Sequence, residues 1–314
     1  MKSKFLFFAL SLSLLAGLVG SGLSHAGQPP VAPAKAPTTP PVPTGPPATW
    51  CRYVPERSDD FAWENDLTAF RAYGPAIKKA KGTESSGIDC WLKRVPYPII
   101  DKWYAIDKKG VSYHKDHGEG NDPYHVGSSR GTGGLAIWKD DKMVLAGPYK
   151  TWKIVSRTPE KSVFELTYDY DMSGETIHEV KHIEIELHKR LFHAESTFTK
   201  ADKPVSGLDI AIGITTHDSK AQATLNPKQG WMACWEKMEG FSLGTGVIIA
   251  PSKILSMREL KSTKADESHA LLLTRTDDAG KVSYYAGYGW EKAGDITTPQ
   301  KWQNALRQFA STAH

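Results

Sequence analysis

The chain has 314 residues, 39 of them Lys or Arg and 35 Asp or Glu, and 40% are hydrophobic. That length and apolar content suffice for one large domain or two smaller ones. The near balance of charge, with neither a basic stripe nor an acidic block, argues against a nucleic-acid partner and against a charged disordered tail.

The N-terminus reads as a targeting segment. Lys2 and Lys4 precede an apolar run from Phe5 to Gly20 and a small-x-small site at Ser24-His25-Ala26, the pattern of a secretory signal peptide cut after Ala26. The run is short for a bilayer span and no stop-transfer flank follows it, so the expectation is a periplasmic or extracellular protein without stable membrane insertion. Residues 27–49 hold nine of the chain's 20 prolines, all between Pro29 and Pro47. Such a tract favours extended polyproline geometry and reads as a semi-rigid spacer. Residues 50–314 are then a single folded domain.

Within that domain Ala69, Arg71 and Tyr73 share one face of a short strand and Phe70 and Ala72 the other, with Trp63, Glu64 and Asn65 just upstream. Residues Gly87 to Arg94 form another strand, and Val95 to Tyr104 a turn-rich connection. Leu135 to Trp138 and Met143 to Leu145 make a hairpin closed by Lys139-Asp140-Asp141-Lys142. Period-two runs follow at Lys153–Ser156, Val163–Asp171, Thr176–Leu187 and Leu191–Thr199. Four more lie at Leu208–Thr215, Gly244–Ala250, Ala270–Thr276 and Val282–Tyr288. Pro299 to Ser311 alone has a helical pattern, with Trp302, Leu306 and Phe309 on one side. Many antiparallel strands at short spacing predict an all-β fold, a large antiparallel β-sandwich of two broad sheets with a short C-terminal helix. One polar concave face is expected to carry Arg71, His182, His188 or Glu236, whereas His178, His182, His188 and His193 read mainly as strand-face residues.

Cys51, Cys90 and Cys234 allow one disulfide and one free thiol, and spacing does not choose the pair. None has the neighbours that would depress a thiol pKa for nucleophilic work. All ten tryptophans lie at or after residue 50. Aromatic planes of that kind stack on sugar faces, although most serve a β core.

The stretch from Tyr113 to Gly134 stands out. It gathers His114, His117, His125, Asp116, Glu119, Asp122, Arg130, two tyrosines and six glycines. Groups that titrate near neutrality, on a backbone freed by Gly and Pro, mark a loop that carries a site.

The motifs FAWENDxxAFRxYGP (61–75), GIDCWLKRVPYPIIDKWY (87–104), YHKDHGEGNDPYHVG (113–127) and LGTGVIIA (243–250) together resemble a secreted bacterial domain family of unknown function numbered 4861. The resemblance covers nearly all of the chain after residue 50. It implies a β-supersandwich similar to the galactose-mutarotase and polysaccharide-lyase sandwiches. It also implies a setting of pectin-like or other uronate-rich polysaccharide breakdown, with dehydration of terminal uronates as one activity.

β-Elimination on a hexuronate needs donors that neutralise the carboxylate, a base for the C5 hydrogen, and an acid for the departing oxygen. Arg71 with Asn65, or Arg130, suits the first task. His117 or His114 suits the second and Tyr124 the third, with Glu119 orienting a histidine. Trp63, Tyr73, His125, His217 and Glu236 complete the expected sugar-binding set. A departing hydroxyl makes the enzyme a dehydratase and a departing sugar makes it a lyase; sequence does not separate them. Alternatives are a glycoside hydrolase or epimerase using an acidic pair such as Glu119 and Glu236, or a non-catalytic carbohydrate-binding protein. No cofactor is expected: His114-x-x-His117-x-Glu119 for Zn²⁺, or Asp116, Glu119 and Asp122 for Ca²⁺, match no established ligand pattern. The expected partner is an acidic oligosaccharide or polysaccharide.

Overall fold

Three antiparallel sheets account for almost all regular structure in the computed structural model, which describes residues 45–77 and 85–312. The predicted signal peptide and most of the predicted spacer fall outside the described residues. The end of the spacer is tied to the domain: Thr49 donates its N–H to the Pro159 carbonyl at 2.7 Å and its hydroxyl to Thr158.

The wide sheet has nine strands. Its main path runs Gln222–Asn226, Trp231–Met238, Phe241–Ile248, Lys281–Trp290, Leu191–Lys200, Thr176–Glu186, Lys161–Asp171, Trp152–Arg157, with Lys203–Pro204 added to Leu191–Lys200. An N-terminal sheet joins Trp50–Val54, Asp60–Glu64, Ala69–Ala72, Ile88–Lys93 and Gly120–Asn121 in chain order. A third sheet is ordered Ser256–Leu260, His269–Arg275, Asp209–Thr215, Thr132–Lys139, Lys142–Val144. This is the expected all-β class, with the layer opposite the wide sheet split in two.

Alternation decides which side chains meet. Along Thr176–Glu186 the residues Ile177, Glu179, Lys181, Ile183 and Ile185 are buried, while the intervening ones reach solvent. The inner face of the wide sheet contributes Phe164, Phe192 and Tyr288 to one core, joined by Phe61, Trp63 and Phe70 from the N-terminal sheet and Ile137, Ile212 and Leu272 from the third. Phe61 lies 4.5 Å from Phe164, and Trp63 5.2 Å from the same ring. Removing such a ring would cost about 3–5 kcal/mol. The 139–142 hairpin closes on Asp140 and Asp141, both at positive φ as a two-residue primed turn requires.

The C-terminal helix, Pro299–Ala310, is capped by Thr298, whose hydroxyl accepts from the Lys301 N–H. It lies on the outer face of the wide sheet, where Gly244 and Gly246 leave room. A Cβ on Gly244 would stand 2.6 Å from the Trp302 ring. Trp302 donates its indole N–H to the Thr245 carbonyl at 3.0 Å. The helix covers only part of that face. Over the remainder, around Thr176–Glu186, Leu191–Lys200 and Lys281–Trp290, no element among the described residues packs.

Two expectations are corrected here. The 95–104 connection contains the start of a helix, Ile100–Asp107, whose Trp103 and Tyr104 stack against Trp91. The three cysteines form no bridge: all are buried free thiols, and burial pushes the Cys51 thiol up to about 11.

Candidate functional site

The sequence-predicted residues separate into three groups. The first surrounds Arg71. Its guanidinium is buried and committed to the protein's own carboxylates, at 2.5 Å from Asp89, 3.0 Å from Asp122 and 3.8 Å from Asp60. It also lies over the rings of Tyr73 and Trp91 and donates to the Tyr113 hydroxyl at 3.3 Å. The expected polar strand face is therefore a buried charge cluster; the one Arg71 donor without a hydrogen-bond partner, Nε, is itself buried and not presented to a substrate carboxylate. His114 sits at its edge, Nδ1 2.7 Å from the Asp122 carbonyl, and is exposed. His117 is exposed and touches only the Ser112 carbonyl, at 3.1 Å. Glu119 orients no histidine: it binds Tyr97, Lys102 and Trp103 at 2.5, 2.6 and 3.1 Å.

The second group lies under residues 123–128. His217 holds Glu236 through Nδ1 at 2.7 Å and the His125 carbonyl through Nε2 at 2.7 Å. Both neighbours are acceptors, so both ring nitrogens donate, and the ring is an imidazolium. Burial opposes that charge, but Glu236 outweighs it and raises the His217 pKa. Tyr124 packs edge-on against His217 at 4.7 Å, and its hydroxyl accepts from Thr132. Burial drives the Tyr124 pKa well up, and the ring is covered, so it does not present a proton to a ligand. His125 is exposed and pairs with Asp266 at 3.0 Å.

The third group is structural. Trp63 is core. Arg130 is fully buried and bonds only neutral oxygens, Ser86 at 2.7 Å, Leu135 O at 3.0 Å and Ser128 O at 3.1 Å; burial brings its pKa down to about 10. Asn65 donates to the carbonyls of Glu186 and Lys189, both at 2.6 Å, and Asp66 accepts from the His188 backbone and ring. These two residues clamp the turn after Thr176–Glu186. His188 is spent on that clamp, and Glu236 lies on the inner face of the wide sheet. Of the four residues expected on one polar concave face, only His182 stands on the open outer one.

That outer face holds three neighbouring clefts. Register sets Glu165 beside His182, His182 beside Glu195, Glu184 beside His193, and His193 beside Tyr285. His193 Nε2 is 2.8 Å from the Ser283 hydroxyl, and its ring is 4.8 Å from Tyr285, which meets Phe309 of the C-terminal helix at 5.0 Å. A cleft of about 230 Å³ is lined by Glu184, Lys189, His193, Tyr285 and Phe309. Glu184 and Glu186 are held by Lys161, and Glu195 by Lys281 at 2.6 Å. Lys189 has its ammonium 5.8 Å from the Phe309 ring and no carboxylate partner among the described residues.

Electrostatics sort the roles. Burial lowers the His193 pKa, against the pull of Glu184 and Glu195, so the imidazole is neutral at neutral pH. Burial, then the charges of Glu184 and Glu186, raise that of Tyr285, which keeps its proton. A neutral base, a protonated hydroxyl and an unpaired ammonium thus share one cleft. Among the described residues no three His, Cys, Asp or Glu side chains group as metal ligands, and no helix is long and apolar enough to cross a membrane. His193, Tyr285, Lys189, Glu184 and Phe309 escaped selection from sequence because each looks like an ordinary strand-face or helix residue. The available signal was the alternation that puts His182 and Glu184, His193 and Glu195, and Ser283 and Tyr285 on outward positions of three adjacent strands.

The profile of a family described as "Domain of unknown function (DUF4861)" matches residues 32–314. A protein of Formosa agariphila named "Uncharacterized protein P7" is 40% identical over 272 residues, which span 83% of this chain and 67% of the relative. Among solved structures, a protein described as a candidate aldose 1-epimerase from Klebsiella pneumoniae aligns with 85% of this chain and 88% of its own at 8% identity and a TM-score of 0.40. The GH36 alpha-galactosidase AgaB from Geobacillus stearothermophilus aligns at 8% identity and a TM-score of 0.37, over 82% of this chain and 43% of that chain.

Proposed function

The chain belongs to the family described as "Domain of unknown function (DUF4861)", and from its outer-face cleft we propose that it is a carbohydrate-active enzyme eliminating across C4–C5 of a uronate unit. The observation that carries this is the trio of His193, Tyr285 and Lys189 around one cleft with Phe309 as an aromatic wall. Lys189 neutralises the sugar carboxylate, which acidifies the C5 hydrogen. Neutral His193 takes that proton, the electron pair forms the C4=C5 double bond, and the C4–O bond breaks. Tyr285 then protonates the departing oxygen. If that oxygen is a free hydroxyl, water leaves; if it is glycosidic, the chain is cut. His193 and Tyr285 replace His117 and Tyr124 in the base and acid roles.

Hydrolysis by a carboxylate pair fits less well. Glu184 and Glu195 each face a lysine, and although burial opposes ionisation of Glu184, its bond to Lys161 lowers that pKa. Glu184 is therefore no candidate for the protonated acid such a mechanism needs. The N-terminal pattern of Lys2, Lys4 and the apolar run supports export, which is where a polymeric substrate would be met.

The test is incubation with uronate-capped oligosaccharides while following the ultraviolet absorbance of a 4,5-unsaturated product. His193→Gln and Tyr285→Phe are each expected to lower the rate about 10²–10⁴-fold with the thermal transition retained. Full product formation by folded His193→Gln would refute the assignment.

A further inference from the structure

The open outer face does not end at the cleft around His193. Tyr285 also walls a second cleft, of about 200 Å³, whose lining includes Lys253, Arg275 and Lys281. A third, of about 350 Å³, meets the first at Glu184 and His193 and the second at Glu195 and Lys281. The three share walls pairwise, His193 standing in two of them and Tyr285 in two, and together they line one trough-like stretch of the outer face.

Its charge is distributed in a particular way. On the second side Lys281 is taken by Glu195 and Arg275 by Asp209, both at 2.6 Å. The Asp277 carboxylate accepts from the backbone N–H groups of Ala279 and Lys281. Lys253 is exposed and has no carboxylate partner among the described residues. One unpaired ammonium therefore stands on each side of the His193–Tyr285 pair, Lys189 on one and Lys253 on the other.

Resting on the proposed elimination, we propose that this trough takes an acidic polysaccharide through its interior. One uronate sits at His193 with its carboxylate on Lys189, and a further acidic unit lies on the far side of Tyr285 with its carboxylate on Lys253. A site built for a chain end alone has no need of a second cleft; here one, with Lys253 in its wall, lies on the other side of Tyr285 from Lys189. For an internal unit the C4 oxygen is glycosidic. Elimination then passes the C5 proton to His193, forms C4=C5 on one fragment, and releases the other with its oxygen protonated from Tyr285. Atoms and electrons balance without a co-reactant. The activity is internal chain cleavage.

The experiment uses the full chain and polygalacturonate fragments of graded length, with alginate and a neutral galactan alongside. Expected are unsaturated products of intermediate length from the first turnovers, none from galactan, and kcat/KM rising with fragment length. In Lys253→Ala the ratio of kcat/KM for long over shortest fragments falls about tenfold, which is the loss of one tethering ion pair of about 1.4 kcal/mol. Products altered only at the chain end, with Lys253→Ala affecting long and short fragments alike, would overturn the proposal and leave the elimination standing. A second measurement separates the reverse case. Titration calorimetry of saturated fragments on His193→Gln reads binding without chemistry. Affinity that grows with length and drops in the His193→Gln, Lys253→Ala double variant upholds the trough even if no unsaturated product ever forms; affinity that stops growing at the shortest fragment refutes it.

Discussion

Replacing Arg71 by Gln separates a structural cation from a substrate-binding one. In the parent, the buried carboxylates of Asp89 and Asp122 rely on one buried guanidinium, while Asp60, 3.8 Å from it, also pairs with Arg57 at 2.8 Å. Removing one partner of a buried ion pair costs about 3–5 kcal/mol, because the remaining charge has neither water nor a counter-ion. For a domain of this size each kcal/mol moves Tm by about 2–4 °C, so the expected loss is roughly 6–20 °C at pH 7. The deficit should shrink in acid. Burial already raises the pKa values of Asp60, Asp89 and Asp122 above the ordinary aspartate value. Without Arg71 they rise further, and a folded-state pKa above the unfolded one gives stability that is present at low pH and lost as pH climbs through it. Circular dichroism melts of Arg71→Gln and the parent at pH 5 and pH 7 check both points, with Arg71→Lys, which keeps charge but not the guanidinium's spread of donors to Asp89, Asp122 and Tyr113, falling between. A Tm within about 2 °C of the parent at pH 7, accompanied by loss of activity on uronate oligosaccharides, would show that Arg71 serves the ligand and that the burial argument is wrong.

Other outcomes follow from the same geometry. His117→Ala is expected to melt like the parent and to keep its elimination rate, since that ring touches only the Ser112 carbonyl; a hundredfold loss would return the site to the 113–134 loop. Gly244→Ala places a methyl 2.6 Å from the Trp302 ring, and overpacking there should cost about 1–3 kcal/mol in urea unfolding while raising KM, because Phe309 on the same helix walls the cleft. Burial lowers the His269 pKa to about 4, from 6.5. The unfolded chain therefore takes up that proton first as pH falls, and roughly 3 kcal/mol of stability should drain away between the two values. In His269→Gln the urea midpoint should vary less steeply over that window. Tyr285→Phe should lose turnover while still binding saturated fragments in calorimetry; loss of binding without loss of turnover per bound substrate would contradict its role as proton donor.

Alternation made much of the fold legible from sequence. The runs at 163–171, 176–187 and 191–199 appear within a residue or two of their observed strands, and the 299–311 helix is equally plain because Trp302 and Leu306 recur at helical spacing on a polar background. The strands Trp50–Val54, Gln222–Asn226, Trp231–Met238 and Ser256–Leu260 were not visible. They mix polar or charged residues with apolar ones, and their place is set by neighbours far away in sequence, as when Trp231 and Ala233 lie under the C-terminal helix. The site was harder. Density of histidine and acid draws attention to 113–134, yet Asp122 is consumed by Arg71 and Glu119 by Lys102. No local pattern reveals that Asp89 and Asp122 converge on Arg71, with Asp60 shared between Arg71 and Arg57. Equally, His193 and Tyr285 are 92 positions apart in the chain and become neighbours only through strand pairing.

The clamp formed by Asn65 and Asp66 has a consequence for how this protein tolerates change. Lys189 reaches the trough from a reversal whose carbonyls and imidazole are tethered to a different sheet. If the proposed acidic ligand binds there, a loosened N-terminal sheet would be felt first as a weakened grip on it, before any melting became visible. Variants selected for looser or broader recognition should accumulate at 65 and 66, in a segment that never meets the sugar.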